Sequence, residues 1–295
     1  MRVAVFGATG TIGASLLPLL VREHAVVGIS RGTRDDAGGV SWRQADATDA
    51  EAVRRALEGV DVAYYLVHSL GSSDFEERDL LAASTIATEA ERAGVRQLIY
   101  LGGLGDTGED LSPHLRSRIE TGLRLETGAV PVTTLRAAIV IGPGSAAFET
   151  VVALVDRLPA MICPRWVGVP TQPIALQDAL SYLAGVCGLE QAFGRSFDIG
   201  GPEVMTYREM IERIAKLRRK HPLIVEVPFL TPRLSSYWLH LVTPVKAAVA
   251  RPLIEGLRSA TVVRENAIAE LVPLRLTPFD EAARDALSYS SSSRS

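Results

Sequence analysis

Lysine is almost missing from this 295-residue chain: Lys216, Lys220 and Lys246 are the only ones. No tyrosine stands between Tyr100 and Tyr182. There are two cysteines, Cys163 and Cys187, and neither has a dithiol or metal-ligand spacing. A thiolate metal cage and a disulfide scaffold are therefore excluded, and two reduced core thiols are expected. His24, His221 and His240 are scattered without ligand spacing, so no metal site is expected. The formal net charge is −3, which gives no basic field for nucleic acid. No charge-free apolar run reaches the roughly 18 residues that span a bilayer. The opening MRVAVFGATG breaks at Gly7, too early for the apolar core of a signal peptide. The chain reads as a cytoplasmic protein.

What is present is an alternation of strand and helix signals. Apolar strands are expected at Val3–Phe6, Ala25–Ile29, Ser41–Gln44, Asp61–Val67, Arg96–Leu101 and Val132–Leu135. Helices are expected at Ile12–Val21 (with Pro18 inside), Asp49–Leu57, Ser73–Ala93, Pro113–Glu126 and Ala146–Leu158. Gly94 supplies a helix stop, and Thr48 or Asp49 a cap. The run DVAYYLVHSL is apolar at successive positions, as a strand buried on both faces must be. Repeated βα units imply a parallel sheet covered by helices on both sides. Residues 1–158 form that α/β unit, with 173–200 returning to the sheet. Residues 159–172 and 201–288 read as a smaller, irregular C-terminal cap. After residue 158, helices are expected at Ala179–Gly188 and Tyr207–Arg218 and a short strand at Phe197–Ile199. The serine-rich end, 289–295, is expected to be disordered.

Residues 7–13 read GATGTIG, after a strand and opening a helix. In that context the glycines have a mechanism. Gly7 allows the tight turn, Gly10 lets a pyrophosphate approach the backbone, and Gly13 lets helix and strand pack closely. With Thr9, Thr11 and Ile12 they form a dinucleotide cradle facing a helix N-terminus. The fold class is then a Rossmann-type doubly wound α/β sheet. An acid normally closes the second strand and holds the ribose hydroxyls. Here that strand ends in GISRGTR. Arg31 and Arg34 fit a 2′-phosphate, so NADP is expected over NAD. The plain alternative keeps both arginines in solvent and gives the acid's role to Asp35 or Asp36. Asp46 and Ala47 are candidates for the adenine pocket, although an aspartate at that point also reads as a helix cap. Val67, His68 and Ser69 should leave the sheet beside the cofactor.

Together GATGTIG, ADATD, AYYLVHS, AGVRQLIYLGGLG and SPHLRSR resemble the extended and atypical short-chain dehydrogenases/reductases. The NmrA-like, NAD(P)H-binding branch is the most similar. The resemblance covers most of residues 1–215, and FDIGGPEVMTYREM resembles the passage into such a family's substrate cap. It implies a catalytic Ser and a Tyr-x-x-x-Lys pair. In this chain Gly102 and Gly103 occupy the serine region, His114 the tyrosine position and Arg118 the lysine position. Since no lysine precedes Lys216, no shift of register restores the usual pair.

Ser112 at the cap and Pro113 at the first helical position should start a helix that stacks His114 and Arg118 at i and i+4. Three readings stay open. His114 donates the proton for NADPH-dependent reduction of a small carbonyl, quinone or enone. Alternatively His68 or an ordered water handles the proton. Or the chain binds NADP(H) without turnover, as a redox sensor or partner subunit. The substrate is an unidentified small molecule, the chain is a monomer or homodimer, and no membrane association is expected. The resemblance implies that the region after Arg136 lies next to the nicotinamide, with backbone contacts from Ile141–Gly144. Asp106, Thr107 and Glu109 read most simply as a polar loop, with contact to substrate as the alternative. Leu234, Trp238 and Leu241 make an apolar stripe between Arg233 and Lys246, which fits a cap helix, a lid, a dimer face or a membrane-surface helix.

Overall fold

The computed structural model describes residues 1–68, 75–105, 112–227 and 260–292. Ser69, the loop with Asp106, Thr107 and Glu109, the Leu234–Trp238–Leu241 stripe with Arg233 and Lys246, and His240 lie outside the described residues. A seven-stranded sheet forms the centre. Its strands are β1 (Arg2–Phe6), β2 (Ala25–Ser30), β3 (Val40–Gln44), β4 (Val62–Tyr65), β5 (Gln97–Gly103), β6 (Val132–Ala137) and, much later in the chain, β11 (Ser196–Ile199). The spatial order is β3-β2-β1-β4-β5-β6-β11, with every pair parallel. The order reverses between β1 and β4, and a crevice at such a reversal is where ligands bind in open α/β sheets.

Strand periodicity explains the two layers of core. On β1, Val3 and Val5 point to one face and Ala4 and Phe6 to the other. The first face packs on α1 (Thr11–Leu20) through Leu16 and Leu20, and on α6 (Leu176–Gly185) through Leu180 and Leu183. The second packs on α2 (Ala50–Ala56) through Val53 and on α3 (Phe75–Arg92) through Ala83 and Ile86. Helix α4 (Pro113–Leu125) lies beside α3, and its C-terminal Leu125 is fully buried in the same layer. Burying a side chain of this size is worth about 1.5–3 kcal/mol, so the paired layers dominate the stability. Tyr64, Tyr65 and Tyr100 belong to this core and are essentially inaccessible.

The expected elements recur with shifted ends. Strand β4 stops at Tyr65, so Val67 and His68 are loop residues. Asp49, not Thr48, caps α2, accepting from the amides of Glu51 and Ala52 at 3.0 and 3.1 Å. Helix α1 runs on through Pro18, and α6 begins at Leu176, three residues before the expected start.

The rest of the chain makes a third apolar cluster. Helices α5 (Ala146–Arg157) and α7 (Tyr207–Leu217) meet there. Short strands join it: β7 (Val140–Ile141) with β10 (Ile174–Ala175), β9 (Pro170–Thr171) with β12 (Met205–Thr206), and β8 (Ala160–Pro164) with β13 (Leu223–Val227). After the single-turn α8 (Ile268–Leu271) comes α9 (Phe279–Ser292). Residues 289–292, expected as part of a disordered tail, are therefore helical. The reason is local: Phe279, Ala282, Ala283 and Ala286 are buried in this cluster. The helix they anchor extends outward through the serines. An Arg213 that binds both Glu203 and Asp280 ties α7 to the start of α9.

One packing constraint yields a prediction. A methyl group at Gly13 would collide with the Gly7 carbonyl and with the Ala8 Cα, both backbone. Gly13→Ala should destabilise the fold by about 1–3 kcal/mol despite alanine's better helix propensity. Gly32 has nothing within 4 Å of an added Cβ, so Gly32→Ala should change stability by less than about 0.5 kcal/mol. Denaturant unfolding of both variants checks the pair.

Candidate functional site

The glycine turn sits at the β1 end of the crevice. Gly7 has φ +83°, and a Cβ there would lie 2.6 Å from the Leu66 carbonyl oxygen. Only glycine lets the turn press against the chain leaving β4. The Gly10 amide donates to the Gly7 carbonyl at 2.9 Å and closes the turn. Gly10 then caps α1 without a side-chain acceptor, and no acid stands in the first turn. The first amides of α1 are thus left for an anionic ligand.

Two cavities meet at this turn and share Gly10, Leu66 and His68. One, about 630 Å³, lies toward β2 and β3 and is lined by Gly7, Thr9, Arg31, Asp46, Ala47 and Val67. The other, about 450 Å³, lies toward β5 and β6 and is lined by Thr11, Ile12, Gly13, His114 and Arg118. A glycine cradle, an open helix terminus and a groove running both ways are the features that a dinucleotide site requires.

Arg34 departs from its expected place in the cofactor groove. It lines neither cavity, and its guanidinium stacks over the Trp42 ring at 5.2 Å. Asp36 is engaged too, accepting from the Trp42 amide at 2.8 Å. Arg31 therefore faces the first cavity without Arg34 beside it. Asp46 accepts from the Thr48 amide at 3.0 Å and from its hydroxyl at 2.8 Å. The backbone bond is the main reason its carboxyl titrates below the usual range, and Arg78 and Arg31 add to the effect. Arg78, 3.8 Å from Asp46, also lines this cavity. Sequence reading missed it, because an arginine on a helix 32 positions away carries no local signal.

The second cavity brings together His114, Arg118 and His68. Ser112 caps α4 by accepting from the Leu115 amide at 3.2 Å. The Tyr100 hydroxyl donates to the Arg118 carbonyl at 2.8 Å and pins the helix to β5. His114 and Arg118 both face the cavity. The Arg118 guanidinium stacks over Tyr100 at 5.0 Å and has no carboxylate partner among the described residues. A Cβ at Gly103 would lie 2.7 Å from the Leu115 side chain, and one at Gly105 2.5 Å from it. Leucine thus fills the space beside the serine region. Farther out, the Thr11 hydroxyl donates to the Gly144 carbonyl at 3.0 Å and joins α1 to the loop before α5. Arg136 points instead into an ion pair with buried Asp198 at 2.7 Å.

His114 is not alone. Its Nδ1 lies 3.1 Å from His68 Nε2, and His68 Nδ1 lies 2.7 Å from Asp79 Oδ2. Asp79, from α3, is 2% exposed. Burial is the largest influence on both rings and pushes both toward the neutral form. His114 is pushed down to about 3, with His68 and Arg118 adding to burial. His68 is lowered by burial despite its bond to Asp79. Burial also pushes the Cys187 thiol up to about 11, which leaves it inert.

Residues 7–125 match an NAD(P)H-binding family. Over 93% of this chain and 75% of the relative, the sequence is 24% identical to the Arabidopsis thaliana protein NADH dehydrogenase [ubiquinone] 1 alpha subcomplex subunit 9, mitochondrial. Among solved structures, triphenylmethane reductase of Citrobacter sp., complexed with NADP(H), superposes with a TM-score of 0.76 at 18% identity, covering 97% of this chain and all of that one. A nucleoside-diphosphate-sugar epimerase from Staphylococcus aureus gives 0.76 at 17%, covering 96% and 100%. At such identities these two likenesses speak for the fold alone. No helix among the described residues is long and apolar enough to cross a membrane.

The neutral histidines make stability depend on pH. His114 protonates near 6.5 when unfolded and near 3 when folded. The unfolded chain therefore binds the extra proton as pH falls, and the contribution of His114 is complete above 6.5 and lost below it. By pH 5 that loss is ~2 kcal/mol. The stability advantage of wild type over His114→Gln should shrink by about that amount between pH 7.5 and pH 5. Denaturant titrations across this range check it, and an advantage that does not change with pH contradicts it.

Proposed function

We propose, from the match of residues 7–125 to an NAD(P)H-binding family, that the chain is an NADP(H)-dependent oxidoreductase. Its substrate is a small carbonyl, quinone or enone. His114 exchanges the proton and Arg118 takes the place of the usual lysine. One observation carries this reading: the glycine turn, His114 and Arg118 open onto the same 450 Å³ cavity. When bound, the nicotinamide supplies the hydride. The residues of this chain do the rest. Leu101, Leu104, Leu115 and Ile139 line the space and exclude water from the reacting carbon. A guanidinium offers only donors and cannot relay a proton. That of Arg118 can hold ribose hydroxyls or steady a developing oxyanion. His114 is the titratable group within that cavity best placed to exchange a proton with it, backed by His68.

Preference for NADP rests on Arg31. Ser30 ends β2 where an acid would grip ribose hydroxyls, and its hydroxyl already donates to the Gly32 carbonyl at 2.5 Å. Asp36 is occupied by Trp42. Arg31, at the rim of the adenosine cavity, is left to meet a 2′-phosphate.

A second reading has its own support. The Arabidopsis relative, similar along nearly the whole chain, is by name a subunit of a larger NADH dehydrogenase. On that reading the chain binds NADP(H) without turnover, as a sensor or assembly partner.

Two measurements separate these. Arg31→Ala should weaken NADPH binding roughly tenfold or more, since a charge-assisted contact is worth about 1.5–3 kcal/mol, and leave NADH binding nearly unchanged. Equal affinity of wild type for NADH and NADPH contradicts the NADP preference. NADPH oxidation across quinones, aldehydes and enones should reveal turnover, and His114→Ala should lower kcat by about 100-fold or more with NADPH affinity retained. Tight NADPH binding with no turnover overturns the enzyme reading in favour of the binding subunit.

A further inference from the structure

Asp79, His68 and His114 form one chain of hydrogen bonds, and its direction has a chemical consequence. Asp79 Oδ2 lies 2.7 Å from His68 Nδ1, and His68 Nε2 lies 3.1 Å from His114 Nδ1. The rings are tilted by 35° with centroids 5.0 Å apart. A carboxylate can only accept. His68 therefore carries its hydrogen on Nδ1 and offers a bare Nε2. His114 Nδ1–H must donate to that nitrogen, which leaves His114 Nε2 bare. His114 Nε2 makes no hydrogen bond among the described residues, and His114 lines the 450 Å³ cavity. Three elements make this arrangement: the loop after β4, α3 and α4.

The groups facing the pair do not reverse this order. Ser117 donates to Asp79 at a long 3.5 Å. Tyr65 and Tyr100 are buried and held above their ordinary range, so they stay neutral. Arg118 is the nearby cation and disfavours a second positive charge.

We propose that Asp79 and His68 are positioning residues that fix the tautomer of His114, so that it presents a bare Nε2 as a base until one further proton is loaded onto the histidine pair, when the same nitrogen becomes a donor. The proposal rests on the oxidoreductase reading for its catalytic consequence, but not for the tautomer itself. In the oxidative direction, the substrate O–H bond breaks and its proton bonds to His114 Nε2. The Nδ1 hydrogen of His114 moves to His68 Nε2, and His68 keeps its Nδ1 hydrogen on Asp79. The extra proton then resides on His68, against the carboxylate. A bound oxidised nicotinamide would supply the acceptor for the hydride that leaves the carbon. Reduction runs these transfers backwards and consumes one proton that solvent must first load onto the pair. Reduction is thus favoured by acid and oxidation by base.

The test begins with the unaltered full chain, labelled with ¹⁵N-histidine, with and without NADPH. Long-range proton–nitrogen NMR reads which ring nitrogens carry hydrogen. The expected result above pH 7 is Nδ1–H on both His68 and His114. A hydrogen on His114 Nε2 under those conditions, as a protonated Asp79 would produce, overturns the proposal. In Asp79→Asn the pair should take up its extra proton at least one pH unit lower than wild type, and Asp79→Glu should restore part of the shift. Uptake at the wild-type pH in a folded Asp79→Asn protein also overturns it. With an active acceptor in hand, the pH profile of kcat for reduction should move to lower pH in Asp79→Asn, while KM for NADPH holds. An unmoved profile counts against the proposal. If no acceptor turns over, the oxidoreductase reading fails, and the NMR result still decides the tautomer.

Discussion

Backbone contact at the glycine turn is the constraint on which the rest of the site depends. Gly7 rests against the Leu66 carbonyl, and Gly13 against Gly7 itself. These contacts bring β1, α1 and the segment leaving β4 together without intervening side chains. Two residues beyond Leu66 is His68, whose place is thus set partly by a missing methyl group. His68 in turn meets Asp79 from α3 and His114 from α4. The glycine-lined groove and the Asp79–His68–His114 chain are two consequences of one packing event. The sheet order supplies its setting, because the β1–β4 reversal opens the crevice at that point.

His114 and Arg118 stand at i and i+4 on α4 and face one cavity. Leu115 fills space that substituents on Gly103 or Gly105 would need. The Arg118 guanidinium stacks over Tyr100 and offers only donors. Support for His114 comes instead from across the cavity, through His68 and a nearly inaccessible Asp79. Burial is what keeps both imidazoles neutral and makes their tautomers, rather than their charges, the quantity that matters.

Much of this was legible in the chain. Short apolar strands, the GATGTIG turn and the Ser112–Pro113 helix start are local signals, and they located the sheet strands, the turn that opens α1 and the start of α4 that carries His114 and Arg118. The limits were equally physical. Asp79 lies on an amphipathic helix among other acids, and nothing local marks it as the one that turns inward. Arg34 looked equivalent to Arg31 until Trp42 drew it away from the groove. Two-residue strands such as β9 and β12 have no periodicity to read. The serine-rich end looked disordered by composition, whereas the buried face of α9 carries helix as far as Ser292.

The central claim is that one groove holds NADP(H) along the glycine turn with its reactive end over His114. A crystal structure of the full chain with NADPH tests it most directly. The account predicts the pyrophosphate at the N-terminus of α1, the 2′-phosphate against Arg31, and the nicotinamide in the second cavity. There a substrate atom on the ring face would reach His114 Nε2 within about 3–3.5 Å. A nicotinamide lying outside that cavity, or a His114 turned away from it, would contradict the account.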